Sequence, residues 1–129
     1  MELIKAGRAL YLKGNPGFAE AHLWFVISES NPESGLVVIV PLVTERPHTD
    51  RTVVLEQGDH PFIKHRSNID YGATKFCRST KLAAAVSAGR CQLLEDLSRD
   101  LLDRVRAGAC ASARVPNDVA AYCRKAFGR

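Results

Sequence analysis

Seven side chains able to donate, accept or transfer a proton fall within twelve consecutive positions: Asp59, His60, Lys64, His65, Arg66, Ser67 and Asp70. Apolar Phe62, Ile63 and Ile69 are threaded between them, and the stretch that holds them all runs over residues 58–76. No other segment is as dense in such groups. General acid-base chemistry needs ionisable groups fixed by a packed scaffold, so this mixture is what a proton-transfer site looks like in sequence. A polar connection between two strands has the same composition. Two further groups stand at the ends of apolar runs, where a scaffold would present them: His22 opens His22-Leu23-Trp24-Phe25-Val26-Ile27-Ser28, and Thr44 closes Leu36-Val37-Val38-Ile39-Val40-Pro41-Leu42-Val43.

Those runs are the elements that must position the chemistry. The first is rich in aromatic and β-branched residues and has no helical polar stripe, so it reads as a central strand buried on both faces. The second also reads as a buried strand, and Pro41, which has no ladder donor, marks a bulge or the end of pairing. Asn31-Pro32-Glu33-Ser34-Gly35 between them is turn chemistry, which makes the pair an antiparallel hairpin. Ahead of it, residues 7–13 alternate as a first strand and Gly14-Asn15-Pro16-Gly17 breaks it into a loop reaching about residue 21. Residues 44–50 read as a loop and 51–55 as a fourth strand. Phe62-Ile63 and residues 73–77 read as the remaining strands, with a polar connection over 64–72. Many short strands with no helix among them predict a small antiparallel barrel or rolled sheet over residues 1–77.

From residue 78 the pattern changes. Ser79 and Thr80 can cap a helix through Leu82, Ala85 and Val86 that Gly89 stops. Leu94, Leu97, Leu101 and Val105 step by three or four and predict an amphipathic helix over 92–106; Val119, Tyr122, Cys123 and Ala126 trace a third after Pro116. Residues 78–129 are thus expected to be a basic helical appendage packed on the barrel or on a partner. The charge follows the same division. Residues 1–76 carry eight Lys and Arg against nine Asp and Glu, giving −1, and residues 77–129 carry ten against five, giving +5. A basic surplus can hold a phosphate backbone or an acidic partner, and it can equally be a solvated helical face.

At 129 residues, 46% hydrophobic and 25% charged, the chain has the size and balance of one globular domain with an appendage. It has no run of the ~20 apolar residues that a membrane helix needs, and its start lacks the apolar core and cleavage site of a secretory signal. The expected location is the cytoplasm, with no membrane partner. Cys77, Cys91, Cys110 and Cys123 are widely spaced without a Cys-x-x-Cys pair, so they read as small core residues. No nucleotide loop and no nucleophile elbow is present.

The strand Leu23-Trp24-Phe25-Val26-Ile27-Ser28, the strand ending Val38-Ile39-Val40-Pro41-Leu42-Val43-Thr44, and the later Ile63-Lys64-His65-Arg66-Ser67-Asn68-Ile69-Asp70 resemble the core pattern of the MazF/PemK family of toxin endoribonucleases. The resemblance covers residues 5–77. It implies an SH3-like barrel, a homodimer, cleavage of single-stranded RNA without a metal, and an antitoxin peptide or protein as partner. Thr44 matches the Ser or Thr that follows the family's third strand, and its hydroxyl can bond a phosphate or a ribose. Ser67 and Asp70 match a family element by region. Where the family commonly has Arg-Pro at the start of its second strand, this chain has His22-Leu23.

Metal-independent RNA cleavage requires a base for the ribose hydroxyl proton, an acid for the leaving oxygen and a cation for the phosphorane. His22, His65 and Arg66 are the candidates for those roles, and Thr44, Lys64, Ser67, Asp70 and Tyr71 the candidates for holding substrate. Tyr71, in the polar segment, is the stacking candidate; Trp24, among apolar neighbours, is expected in the core. His48, Asp50, Asp59, His60 and His65 are metal-ligand types, but their spacing fits no metal motif, so no metal or other cofactor is expected. The competing expectation is a barrel module without chemistry that binds a protein or nucleic acid. A tail folded back over its own barrel would mimic an antitoxin.

Overall fold

The computed structural model describes residues 3–12 and 22–128. The predicted loop at 14–21 and Lys13 lie outside them. Among the described residues seven strands, β1 (Ala9–Leu12), β2 (His22–Val26), β3 (Leu36–Thr44), β4 (Val54–Leu55), β5 (Ser67–Ile69), β6 (Lys75–Arg78) and β7 (Cys91–Leu94), form one antiparallel sheet in the order β4-β5-β3-β2-β1-β7, with β6 also on β3. Three helices, α1 (Ser79–Ser87), α2 (Arg99–Ala111) and α3 (Asn117–Ala126), follow in the C-terminal part. The class is the expected one, mainly antiparallel β with helices after it.

The longest strand, β3, organises the sheet. One edge takes β2, pairing Val26 with Ile39, Phe25 with Val40 and Trp24 with Pro41. The other edge takes β6 along Leu36–Ile39 and then β5 along Leu42–Thr44. Pro41 sits in the gap between these two partners, where a missing N–H breaks no ladder bond; its carbonyl accepts from the Asp70 amide at 2.8 Å. The proline expected to end pairing instead marks a change of partner.

Alternation along the strands puts a core on each face of the sheet. Leu10, Val26, Val37 and Ile39 face one way and pack with Leu82 of α1. Leu23, Phe25, Val38, Val40 and Leu42 face the other way and pack with Leu101, Val105 and Ala109 of α2 and with Val119 and Cys123 of α3. Burial pushes the Cys123 thiol up to about 11, as befits a cysteine used for packing.

Four local expectations need correction. Residues 91–94 are strand rather than helix: Cys91–Leu94 pairs with β1 from Leu12↔Cys91 to Ala9↔Leu94. Leu94 and Leu97 share the core of Leu101, so the apparent helical stripe spans a strand and its connection. The helix begins after Ser98, whose hydroxyl accepts from the Leu101 amide at 3.1 Å. The sheet therefore continues past residue 77, through β7. Phe62-Ile63 is a turn, the strand of that region being β5 inside the supposed polar connection, and the fourth strand is only Val54–Leu55. Arg78, not Ser79 or Thr80, is the N-cap of α1, without a side-chain bond. Gly89 ends that helix as expected, at φ +80°, with its amide on the Val86 carbonyl and the Arg90 amide on Ala85.

Candidate functional site

A groove of about 790 Å³ opens where β2 begins and β3 ends. His22 and Leu23 line it from β2, and Leu42, Val43 and Thr44 from β3. The loop before β5 supplies Phe62, Ile63, Lys64 and His65; Ser67 and Arg46 complete it. Leu23, Leu42 and Ile63 are buried and give it an apolar floor, while Arg46, Lys64 and His65 are exposed on its wall. Among the described lining residues none comes from a helix, so the tail is not folded over this groove.

Five of the expected site residues therefore meet: His22, Thr44, Lys64, His65 and Ser67. Thr44 Oγ1 lies 3.1 Å from His65 Nε2, a direct hydrogen bond across β3 and the loop. Strand pairing fixes it, because Thr44 is opposite Ser67 in the β3–β5 register and Ser67 is two residues from His65. The Ser67 hydroxyl is turned inward and donates to the His65 carbonyl at 2.9 Å, so it braces the histidine's backbone. Alternation puts His22 on the pleat of Trp24, opposite Leu23, and it enters the groove at its rim, as the first residue of β2.

Three expected residues stand elsewhere. Arg66 is held at 2.9 Å by Glu45 and at 3.6 Å by Glu56, in the neighbouring depression rather than in the groove. The Asn68 amide, donating to Glu45 at 3.1 Å, is the main cause that holds the Glu45 carboxyl below the usual carboxylate range; burial opposes it, and Arg66 and Arg51 reinforce it. Asp70 precedes the 3₁₀ turn Tyr71–Ala73 and is outside the groove lining. Tyr71 is no substrate platform. It is fully buried, its hydroxyl donates to the Val105 carbonyl of α2 at 2.8 Å, and burial pushes its pKa up.

Arg46 was missed because it sits in a loop. The signal was available: Leu42, Thr44 and Arg46 continue one alternation out of β3. It forms no ion pair among the described residues; its guanidinium bonds only the adjacent Glu45 carbonyl, at 3.2 Å, and this cation lies nearer the two histidines' groove than Arg66 does.

The metal-ligand types are dispersed. Asp50 accepts from Ser112 and Thr52, Asp59 pairs with Arg104 at 3.3 Å, and His60 is buried against the Glu95 carbonyl. Among the described residues no three His, Cys, Asp or Glu side chains gather as a metal site requires. Among the described residues no helix is long and apolar enough to cross a membrane.

Neither a family model nor a curated protein matches this sequence. Solved structures do. A MazE-MazF complex from Deinococcus radiodurans superposes with TM-score 0.58 at 14% identity, covering 88% of this chain and 99% of that one. A second form of that complex gives 0.54 at 16% identity, with 88% and 97% covered. An endoribonuclease in complex with its cognate antitoxin from a Mycobacterial species gives 0.55 at 15%, again with 88% and 97%. The match extends well past residue 77, into the helical part. This chain is thus similar to MazF toxin structures over most of its length, and what it shares with them is the fold.

Proposed function

We propose that the protein is a toxin-like, metal-independent endoribonuclease acting on single-stranded RNA. The observation that carries the reading is the groove in which His22, Thr44 and His65 meet Arg46 and Lys64. One imidazole takes the proton from a ribose 2′-hydroxyl, whose oxygen attacks the adjacent phosphorus. The other protonates the departing 5′-oxygen, leaving a 2′,3′-cyclic phosphate on one fragment and a free 5′-hydroxyl on the other. Histidine suits either step because its ordinary titration lies near neutral pH. Arg46 and Lys64 supply the positive charge that the phosphorane needs, a role for which Arg66 is badly placed because two carboxylates already hold it.

Two of the structures similar to this chain are MazE-MazF complexes, and a third is an endoribonuclease in complex with its cognate antitoxin. An antitoxin-like peptide is accordingly the proposed regulatory partner, a homodimer the proposed assembly, and the cytoplasm the proposed location. Purified protein should cleave an oligoribonucleotide in the presence of a chelator, and its expression should arrest growth. Replacing His22 and His65 together with alanine should lower cleavage by at least about 10²-fold, the usual contribution of positioned acid-base groups. Unchanged cleavage would remove both from the mechanism.

One observation favours a second reading. His22 stands where the resembled family commonly has arginine, and a groove that kept its cations but lost its catalytic set would bind RNA without cutting it. Binding with no cleavage products after prolonged incubation would establish that alternative.

A further inference from the structure

Phe62 is the large hydrophobic residue most exposed among those described, 42% accessible, and it lines the groove. A single exposed phenylalanine is ordinary on a protein surface. This one differs in how it is held. Its ring lies 5.2 Å from that of Tyr11 on β1, tilted at 46°, so one side is backed by a second aromatic ring. Its amide donates to His60 Nδ1 at 3.1 Å, and His60 Nε2 donates in turn to the Glu95 carbonyl at 2.6 Å. His60 is buried with its ring 5.9 Å from that of Phe25 and tilted to it, and Ile63, the residue after Phe62, is buried in the main core. The exposed ring thus stands on a segment pinned on both sides. Lys64 keeps its ammonium on the Pro61 carbonyl at 2.9 Å and lines the same groove as the ring, together with Arg46 and His65.

An aromatic face held rigid among cations fits a polyanion that carries flat, unpaired rings. We infer that Phe62 is a stacking platform for a base of single-stranded RNA, backed by Tyr11, and that Lys64 takes a neighbouring phosphate. The inference rests on the ribonuclease reading and adds to it the contact by which an unpaired nucleotide is seated. Stacking is tolerant of base identity, so it selects unpaired nucleotides over duplex rather than one sequence. Because the backbone beneath the ring is already pinned, little of the segment has to be ordered on binding.

The test uses the full chain and two fluorescein-labelled oligoribonucleotides of mixed sequence, one with all its bases and one with abasic residues at the central positions, both with 2′-O-methyl sugars to block cleavage. Phe62→Ala should weaken binding of the first by on the order of tenfold and leave the second unchanged. Phe62→Trp should retain affinity, and its fluorescence should be quenched by the base-bearing strand alone. Equal weakening of both strands, or none of either, would overturn the platform while leaving RNA binding in place. Failure of the unaltered protein to bind either strand would overturn the ribonuclease reading and the platform with it.

Discussion

The two halves of the polar stretch at 59–74 have similar residue types and opposite fates. In the first half Phe62, Lys64, His65 and Arg66 are exposed, and only His60 and Ile63 turn inward as anchors. In the second half Ser67, Asn68, Ile69, Tyr71 and Thr74 are all buried. Pairing makes the difference. Ser67–Ile69 lies between β3 and β4, so its polar groups must find protein partners. Asn68 shows this: its amide donates to Glu45 and to the Val53 carbonyl, and its oxygen lies 2.6 Å from the Thr49 hydroxyl. Among the described residues the turn before it joins no strand ladder, and it gives Phe62, Lys64 and His65 to the groove. Density of ionisable groups marked the neighbourhood of the groove, and strand pairing divided it into scaffold and surface.

That contrast makes the buried half sensitive to substitution in stability and the exposed half sensitive in function. The largest stability loss is expected at Gly108 of α2, where a β-carbon would run into the Tyr71 hydroxyl and Val53 Cγ2. Gly108→Ala should cost about 3 kcal/mol in chemical denaturation, because neither neighbour can withdraw within the packed core. Asp50→Ala should cost about 2 kcal/mol, since the carboxylate accepts from the Ser112 hydroxyl at 2.6 Å and from the Thr52 amide and hydroxyl, tying the loop before β4 to the end of α2.

The same carboxylate gives a pH signature. Burial works to raise its pKa, but the bonds from Ser112 and Thr52 and the charge of Arg114 outweigh burial and hold it below the ordinary value. Its contribution is therefore complete above the unfolded-state pKa of about 3.9 and is lost as the pH falls through the lower folded value. Acid titration of the unfolding free energy should show a shallower decline in Asp50→Asn than in the unaltered protein. Tyr71→Phe, which removes only the bond to Val105, should cost about 1 kcal/mol.

At the bottom of the series, Lys64→Ala and His65→Ala should each change stability by less than about 0.5 kcal/mol, as exposed positions do. The same two substitutions should nevertheless weaken RNA binding or cleavage. A large stability loss at either would erase the distinction between the halves.

Much of the architecture was legible in the sequence because the two central strands carry long apolar runs whose only short-range solution is a hairpin. The ends of the chain were harder to read. Cys91-Gln92-Leu93-Leu94 is too short to show a period, and its strand state depends on β1, about eighty residues earlier. Truncation near Arg78, which the idea of a self-inhibiting tail suggests, would strip β7 from β1 and remove the acceptor of Tyr71, so it would test folding rather than inhibition. Residue types pointed to five residues that line the groove, His22, Thr44, Lys64, His65 and Ser67, yet they could not separate Tyr71, which is core, from Phe62, which is surface. Both are aromatics in a polar segment, and only the packing of α2 against Tyr71 tells them apart.

The central claim is that this groove moves protons on a ribose and its phosphate. The direct measurement is cleavage, with a chelator present, of an oligoribonucleotide and of its counterpart carrying a single 2′-deoxy sugar at the mapped scissile position. The expected result is a 2′,3′-cyclic phosphate end from the first, no cut at that position in the second, and loss of the product in the His22→Ala, His65→Ala protein. Cutting at the deoxy sugar, or equal cutting by the doubly substituted protein, would contradict it.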